Sequence, residues 1–177
     1  MTEKNDTSRL NEKYIFRNIR QEEITQAAEI EKICFPPNEA CSYAHMEKRV
    51  DKAPELFLVA EDRATGRIAG FLNGLATDRE HLTDDFFTDA EVHDPNGKNI
   101  MLLGLDVLPE YQRQGLAREL VRCYKEREKA NGREKLILTC LPDKVEMYQK
   151  FGFKDHGIGG SVWGGEAWHE MSVELRG

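Results

Sequence analysis

Apolar residues recur at two different periods along this chain, and the two periods predict a mixed α/β fold. Between residues 21 and 34, isoleucines and alanines recur at helical spacing, and Pro36 should end that helix because proline disfavours a helical residue before it. A second helix is predicted from about Ser42 to Val50, with Ser42 as its N-cap. The most apolar segment is Asn99–Val107, which we expect to be a central strand.

The remaining elements complete the order β-α-α-β-β-β-α-β-α-β-β. Strands are predicted at 14–20, at 56–60 and 67–75 as an antiparallel hairpin, at 135–140, and twice between 153 and 175; helices are predicted at 116–130 and 143–151. This order implies one α/β domain over residues 14–177, with a mixed sheet and helices on both faces. Residues 1–13 are polar and are predicted to be a loose tail.

A long polar connection occupies residues 77–98. A connection of this length is uncommon unless it forms a lid, a binding loop or a short helix, and a solvated acidic loop is the alternative. Its seven carboxylates are Asp78, Glu80, Asp84, Asp85, Asp89, Glu91 and Asp94.

Charge and cysteine content narrow the possible functions. The chain has 177 residues, with 25 Lys and Arg against 32 Asp and Glu, which gives a net charge of −7 and argues against nucleic acid as a partner. The longest apolar stretch, Ile100–Leu105, is far too short to span a membrane, and no secretory signal is readable. The four cysteines form neither CxxC pairs nor zinc spacing, so we expect reduced thiols in a cytoplasmic protein without a metal.

The segment with the clearest chemical signal is Leu105–Ala117. A strand ends there, proline blocks its continuation, and a polar loop with Gly115 opens a helix. The N-terminus of a helix offers unpaired N–H groups and a positive dipole end, so it can hold a phosphate. Neither the dinucleotide-binding GxGxxG pattern nor the P-loop pattern is present, and a glycine at a helix start is often only a turn residue.

Two motifs resemble those of the GNAT superfamily of N-acetyltransferases. Gln112-Arg-Gln-Gly115-Leu-Ala117 is similar to the family's Q/R-x-x-G-x-G/A motif, and Tyr148-Gln-Lys-Phe-Gly-Phe153 to its Y-x-x-x-G-F segment. Within the superfamily the chain most resembles the arylalkylamine (serotonin-type) N-acetyltransferases, at Cys34–Ala40, at Cys140–Tyr148 and in the C-terminal segment. The resemblance implies a single-domain fold with a mixed, mostly antiparallel, seven-stranded sheet.

The resemblance further implies acetyl-CoA as co-substrate and a small primary amine as acceptor. Backbone N–H groups at the helix start would hold the pyrophosphate, and the backbone of Leu105 and Val107 would pair with the pantetheine arm. The implied cofactor-binding residues are Leu105, Asp106, Val107, Gln112, Arg113, Gln114, Gly115, Leu116, Ala117 and Arg118.

The resemblance identifies the catalytic residues less completely than the cofactor-binding residues. By the resemblance, Tyr148 is the general acid toward the CoA sulfur, although it could simply pack its helix on the sheet. Vertebrate relatives carry two histidines where this chain has Met101 and Leu103, so the base must differ. Glu39, just after the first helix, is the candidate; a solvent-facing glutamate in a turn is the alternative.

The acceptor amine is not identified by sequence. The acidic balance favours a cationic amine, and Phe35, Phe71, Trp163 and Trp168 could line an aromatic pocket for an arylalkylamine. A polyamine or protein N-terminal acetyltransferase, or a non-catalytic acetyl-CoA-binding module, are the alternatives. The oligomeric state is left open.

Overall fold

The structure is a computed structural model that describes residues 9–176 of the chain. From residue 14 onward, the strands and α-helices follow the predicted order, with one additional short helix, α3, inside the acidic connection. The strands are β1 (Tyr14–Asn18), β2 (Phe57–Asp62), β3 (Ile68–Thr77), β4 (Asn99–Val107), β5 (Lys135–Cys140), β6 (Lys154–Ile158) and β7 (His169–Glu174). The helices are α1 (Ile24–Cys34), α2 (Tyr43–Lys52), α3 (Asp85–Thr88), α4 (Leu116–Ala130) and α5 (Val145–Lys150).

The seven strands form one sheet in the order β1-β2-β3-β4-β5-β7-β6. Every neighbouring pair is antiparallel except β4 and β5, which are parallel and are connected through α4. All ten residues of β3 are buried. Gly74 lets β4 approach closely, since a Cβ there would lie 2.7 Å from the carbonyl oxygen of Met101. This is the predicted mixed, mostly antiparallel sheet.

Helices cover both faces of the sheet, as predicted. Adjacent residues of a strand point to opposite faces, and β3 demonstrates this at two positions. Asn73 accepts a hydrogen bond from Arg49 of α2, whereas a Cβ at Gly74 would lie 3.0 Å from the Tyr124 hydroxyl of α4. The predicted N-cap of α2 is also present, because the Ser42 hydroxyl accepts from the His45 N–H at 3.2 Å.

The central strands β4 and β5 separate part-way along their length. They pair only from Asn99 to Met101, whereas β4 continues beside β3 to Val107. Leu103 is the extra residue of a β-bulge in β4, opposite the junction of Asn73 and Gly74. A bulge increases the local bend of a strand. The divergence leaves an opening in the middle of the sheet.

Two regions differ from the predicted elements. Residues 9–13, assigned to the polar tail, are helical and Leu10 is buried; residues 1–8 of that tail lie outside the described residues. In the acidic connection, α3 buries Phe86. Among residues 9–176, no helix is both long and apolar enough to cross a membrane.

Candidate active site

A cavity of about 710 Å³ lies at the opening between β4 and β5, and we call it the central cavity. Its lining comes from the end of α1, the outer half of β4, the start of α4, the end of β5, α5 and the loop before β7. The separation of two parallel strands and the start of a helix therefore meet at one site. This is where the sequence predicts cofactor binding.

The loop before α4 has the backbone geometry of an anion-binding site. Gly115, the N-cap of α4, has φ +82°, and Arg113 two residues earlier has φ +62°, so both are in the left-handed region. A Cβ built on Gly115 would meet no atom within 4 Å, which leaves this surface open. Leu116 and Ala117 begin the helix and line the cavity, and N–H groups in a first turn have no intrahelical partner.

The predicted cofactor-binding residues divide into two groups. Leu105 and Val107 of β4, together with Gln112, Arg113 and residues 115–118, line the central cavity. Asp106 and Gln114 are not part of its lining. The Asp106 side chain is fully buried on the opposite side of β4, and the Gln114 side chain accepts hydrogen bonds from Lys13 and Tyr14, both at 2.9 Å.

Tyr148 lies on α5 with its side chain at the cavity wall. Its ring is held edge-on by Phe151 and Phe153, with ring centroids 6.1 and 5.7 Å away. Burial raises the pKa of the Tyr148 phenol well above its ordinary value, and the nearby Cys140 and Asp106 raise it further. The phenol therefore keeps its proton at neutral pH and can donate it.

Glu39 also lines the cavity, in the turn after α1. Its backbone carbonyl accepts a hydrogen bond from the indole N–H of Trp163 at 2.9 Å. Partial burial raises the pKa of the Glu39 carboxyl, and the negative charges of Glu166 and Asp143 add to the increase. This places several acidic groups at one side of the cavity.

Aromatic side chains lie next to Glu39 in this region. Phe87, from the acidic connection, stacks on Trp163 with ring centroids 5.0 Å apart, and the indole N–H of Trp168 donates to the Trp163 carbonyl at 2.7 Å. Phe35 lines the cavity as well. Phe71, which the sequence offered as a fourth pocket aromatic, instead lies in the core against Phe57.

The acidic connection is attached to the C-terminal loop. Asp84 accepts hydrogen bonds from the Ser161 hydroxyl at 2.5 Å and from the Val162 N–H at 3.1 Å. Glu170 of β7 accepts from the Leu82 N–H at 3.0 Å. Through Phe87, residues 77–98 contribute to the cavity lining, so the connection is part of the site rather than a solvated loop.

A buried polar cluster next to the cavity was not predicted from the sequence. Glu31 of α1 lines the cavity with 3% of its surface exposed, and Asp106 is completely buried beside it. Burial raises the pKa of Asp106 well above its ordinary value, and the charge of Glu31 raises it further. Arg49 and Asn73 complete the cluster, with a 3.3 Å hydrogen bond between them.

The cysteines and His169, which are the other candidate reactive groups, lie in environments that explain them structurally. Burial raises the pKa of Cys34 and of Cys41 to about 11 and that of Cys140 to about 12, so all three remain neutral thiols. His169 lies 3.0 Å from Asp155 across the β6–β7 pair. Within the described part of the chain, no group of three or more His, Cys, Asp or Glu side chains could hold a metal ion.

Comparison with known proteins agrees with this geometry. The family model described as acetyltransferase (GNAT) family matches residues 24–153, which include the parted strands and the start of α4. The chain belongs to the GNAT acetyltransferase family. Among curated proteins it is 27% identical over 158 residues to a protein named probable hydrolase YhcX of Bacillus subtilis (strain 168). The match covers 85% of this chain but only 30% of that relative.

Solved structures share the fold at low sequence identity. The loading GNATL domain of CurA from Lyngbya majuscula superposes with a TM-score of 0.81 at 18% identity, covering 92% of this chain and 98% of that one. YhbS from Escherichia coli, solved in complex with CoA, gives a TM-score of 0.62 at 21% identity, and the match covers 92% of this chain and 82% of YhbS. GphF, a GNAT-like decarboxylase solved in complex with isobutyryl-CoA, gives a TM-score of 0.73 at 19% identity, and the match covers 92% of this chain and 100% of GphF.

Proposed function

We propose that this protein transfers the acetyl group of acetyl-CoA to a primary amine, with a small arylalkylamine as the acceptor. The observation that carries the proposal is the continuity of the central cavity, from the start of α4, along the outer half of β4, to Tyr148 and the aromatic side chains. One cavity thus offers an anion site, a free strand edge, an acid and an amine pocket. CoA complexes among the proteins of similar fold support the choice of cofactor.

The chain's residues fit acetyl-CoA in two places. First-turn N–H groups at Leu116 and Ala117, with the positive end of the α4 dipole, would hold the pyrophosphate. The backbone of Leu105 and Val107, on the edge of β4 that β5 has left, would bind the pantetheine amides as an added strand does. When bound, acetyl-CoA supplies the thioester carbonyl that the amine attacks.

Tyr148 and a carboxylate would manage the protons. An alkylammonium has a pKa of about 10.4, so at neutral pH the amine must lose a proton before it can attack. Glu31 and Glu39 both line the cavity, and the carboxylate of either residue can take this proton. Tyr148, with its proton retained by burial, would donate to the sulfur that leaves.

The aromatic side chains support an aryl group on the acceptor. Stacked Phe87 and Trp163 present a flat apolar surface, and Trp168 is fixed beside them. The acidic side formed by Glu39, Asp143 and Glu166 would attract the ammonium end of the same molecule.

A polyamine is the second candidate, and the acidic groups are the observation that favours it. Glu39, Asp143 and Glu166 lie close enough for their charges to interact, and such a group suits a second ammonium. A spermidine N-acetyltransferase chimera is among the proteins of similar fold, with a TM-score of 0.66 at 15% identity.

The substrate proposal is tested by competition among amines. The purified chain is given acetyl-CoA with tryptamine, phenethylamine, spermidine and an unblocked peptide together, and the acetylated products are quantified by mass spectrometry. We expect N-acetyltryptamine or N-acetylphenethylamine to predominate. Predominant acetylspermidine would select the second candidate, and an acetylated peptide would contradict both.

A further inference from the structure

Three carboxyl oxygens beside the central cavity have no hydrogen-bond donor. They are Oε1 of Glu31 and both oxygens of Asp106, and each is fully shielded from solvent. Only Oε2 of Glu31 is satisfied, by the Cys41 N–H at 2.9 Å. Leaving a buried carboxylate without donors is costly, so these oxygens require either a shared proton or a ligand.

The charges around the two carboxyls indicate one shared proton. Arg49 of α2 is the cation that faces them, and its guanidinium also donates to Asn73 and to the Phe87 carbonyl. The remaining titratable neighbours are Cys34, Cys41 and Tyr148, all neutral because burial raises their pKa values. With one proton on the pair, its single negative charge balances Arg49, as buried charges require.

The pair lies directly behind the cavity wall. Glu31 and Gly104 both line the cavity, and a Cβ at Gly104 would lie 3.2 Å from Oδ1 of Asp106 and 3.6 Å from Oε1 of Glu31. The glycine therefore lets the backbone of β4 pack directly against the two carboxyls, with no room for a side chain. Glu31, which lines the cavity, is the member of the pair that reaches it. Gly104 does not have positive φ, so backbone conformation does not explain the glycine.

We propose that Glu31 and Asp106 hold one proton between them and that Glu31 accepts the proton that the substrate ammonium must lose. The proposal rests on the proposed amine acetylation and deepens it. Glu31 is then the catalytic base, and Asp106, which contacts Glu31 rather than substrate, is a positioning residue that donates its proton to the Glu31 carboxylate.

In this reaction two protons leave the amine nitrogen and one proton reaches the sulfur. Glu31 takes one proton from the ammonium, which leaves both carboxyls of the pair neutral. The amine nitrogen forms a bond to the acetyl carbon, and the carbon–sulfur bond breaks. Tyr148 gives its proton to the sulfur and recovers the second proton that leaves the nitrogen. Glu31 then releases its proton to solvent through the cavity.

The first test is the pH dependence of kcat for the purified chain at saturating amine. Glu31→Gln should lower kcat about 100-fold or more at neutral pH and abolish its acidic limb, because general-base catalysis contributes about 10²–10⁴-fold. Glu29→Gln, on the exposed side of the same helix, is the matched control and should reproduce the native profile. A Glu31→Gln protein that retains the native acidic limb overturns the proposal.

Infrared spectroscopy tests the shared proton without substrate. The native protein at pH 7 should show the carbonyl band of a protonated carboxylic acid, and Asp106→Asn should lose it. Glu39 and Glu128, whose pKa values are also raised by burial, are present in both proteins, so the difference isolates the pair. Absence of the band from the difference spectrum contradicts the shared proton.

Gly104→Ala provides a variant that keeps both carboxyls. Its methyl group would press on Oδ1 of Asp106 and displace the pair, so kcat should fall about 10-fold or more and the infrared band should shift. Unchanged kcat with an unshifted band would contradict the positioning of Glu31 by Asp106. Failure of the proposed function gives a different result, because the native protein would then acetylate no amine. In that case the role of Glu31 as proton acceptor is also wrong, whatever the infrared spectrum shows.

Discussion

The indole N–H of Trp163 donates to the backbone carbonyl of Glu39 at 2.9 Å, which joins the loop before β7 to the turn after α1. These two segments are 124 positions apart in the chain and meet beside the central cavity. Trp163 also stacks on Phe87 of the acidic connection. One tryptophan thus connects three segments that line the central cavity.

Trp163→Phe should weaken amine binding while sparing acetyl-CoA. The variant keeps an aromatic ring for stacking on Phe87 but loses the hydrogen bond to Glu39, which is worth about 0.5–1.5 kcal/mol. We expect KM for the amine to rise about 2- to 10-fold, with KM for acetyl-CoA unchanged. Steady-state kinetics with each substrate varied in turn measures this, and an equal rise in both KM values would contradict it.

Tyr148→Phe should lower kcat about 100-fold at neutral pH, because it removes the proton donor for the leaving sulfur. Acetyl-CoA affinity, measured by calorimetry, should stay within about twofold, since the ring and its contacts with Phe151 and Phe153 remain. Tyr43→Phe, at an exposed tyrosine of α2, is the control. A native kcat in Tyr148→Phe would remove Tyr148 from the reaction.

Glu39→Gln separates two roles for that carboxylate. If Glu31 is the base, the variant raises KM for the amine and keeps the acidic limb of kcat at saturating amine. If Glu39 is the base, as the sequence indicates, the acidic limb is lost. The same pH titration used for Glu31→Gln decides between them.

Glu166→Gln should change the pH at which amine binding weakens. Burial raises the pKa of Glu39, and the charge of Glu166 raises it further, so Glu39 gains a proton at a higher pH than an ordinary glutamate does. As the pH falls through that value, Glu39 loses its charge and KM for the amine rises. Removing the Glu166 charge lowers the pKa of Glu39 and should move this rise to lower pH; an unmoved profile would show that the two groups do not interact.

Arg113 tests the backbone of the loop before α4. Its φ of +62° is unfavourable for a residue with a side chain by about 1–2 kcal/mol, and glycine avoids that cost. Arg113→Gly and Arg113→Ala both remove the charge, but only the glycine relieves the strain. Arg113→Gly should therefore be more stable than Arg113→Ala by about 1 kcal/mol in urea unfolding. Equal stabilities would show that the left-handed conformation is not retained in solution.

Much of the fold was predictable because local patterns and long-range packing agree. Asn99–Val107 and Lys135–Cys140 are apolar runs, and both strands have the predicted bounds. The α3 helix was not located, because two aromatic residues among many carboxylates give too short a pattern to assign a helix. The predicted boundaries elsewhere differ by a few residues, as helix and strand ends do.

Glu31 could not be assigned a role from its pattern alone. Ile33 is one of the isoleucines at helical spacing that predict α1, yet it is 55% exposed, whereas Glu31 is buried. The available signal was the helical spacing of Ala27 and Glu31, four residues apart on one face. Asp106 and Cys41, which define the surroundings of Glu31, lie on other elements and come together only in the folded chain.

The most direct test of amine acetylation follows a labelled acetyl group. The purified protein is incubated with acetyl-CoA labelled in the acetyl carbons and an excess of tryptamine, and both products are quantified with time. The account predicts free CoA and labelled N-acetyltryptamine in equal amounts, both dependent on the amine. Release of CoA with labelled acetate and no acetylated amine, or no release at all, would contradict it.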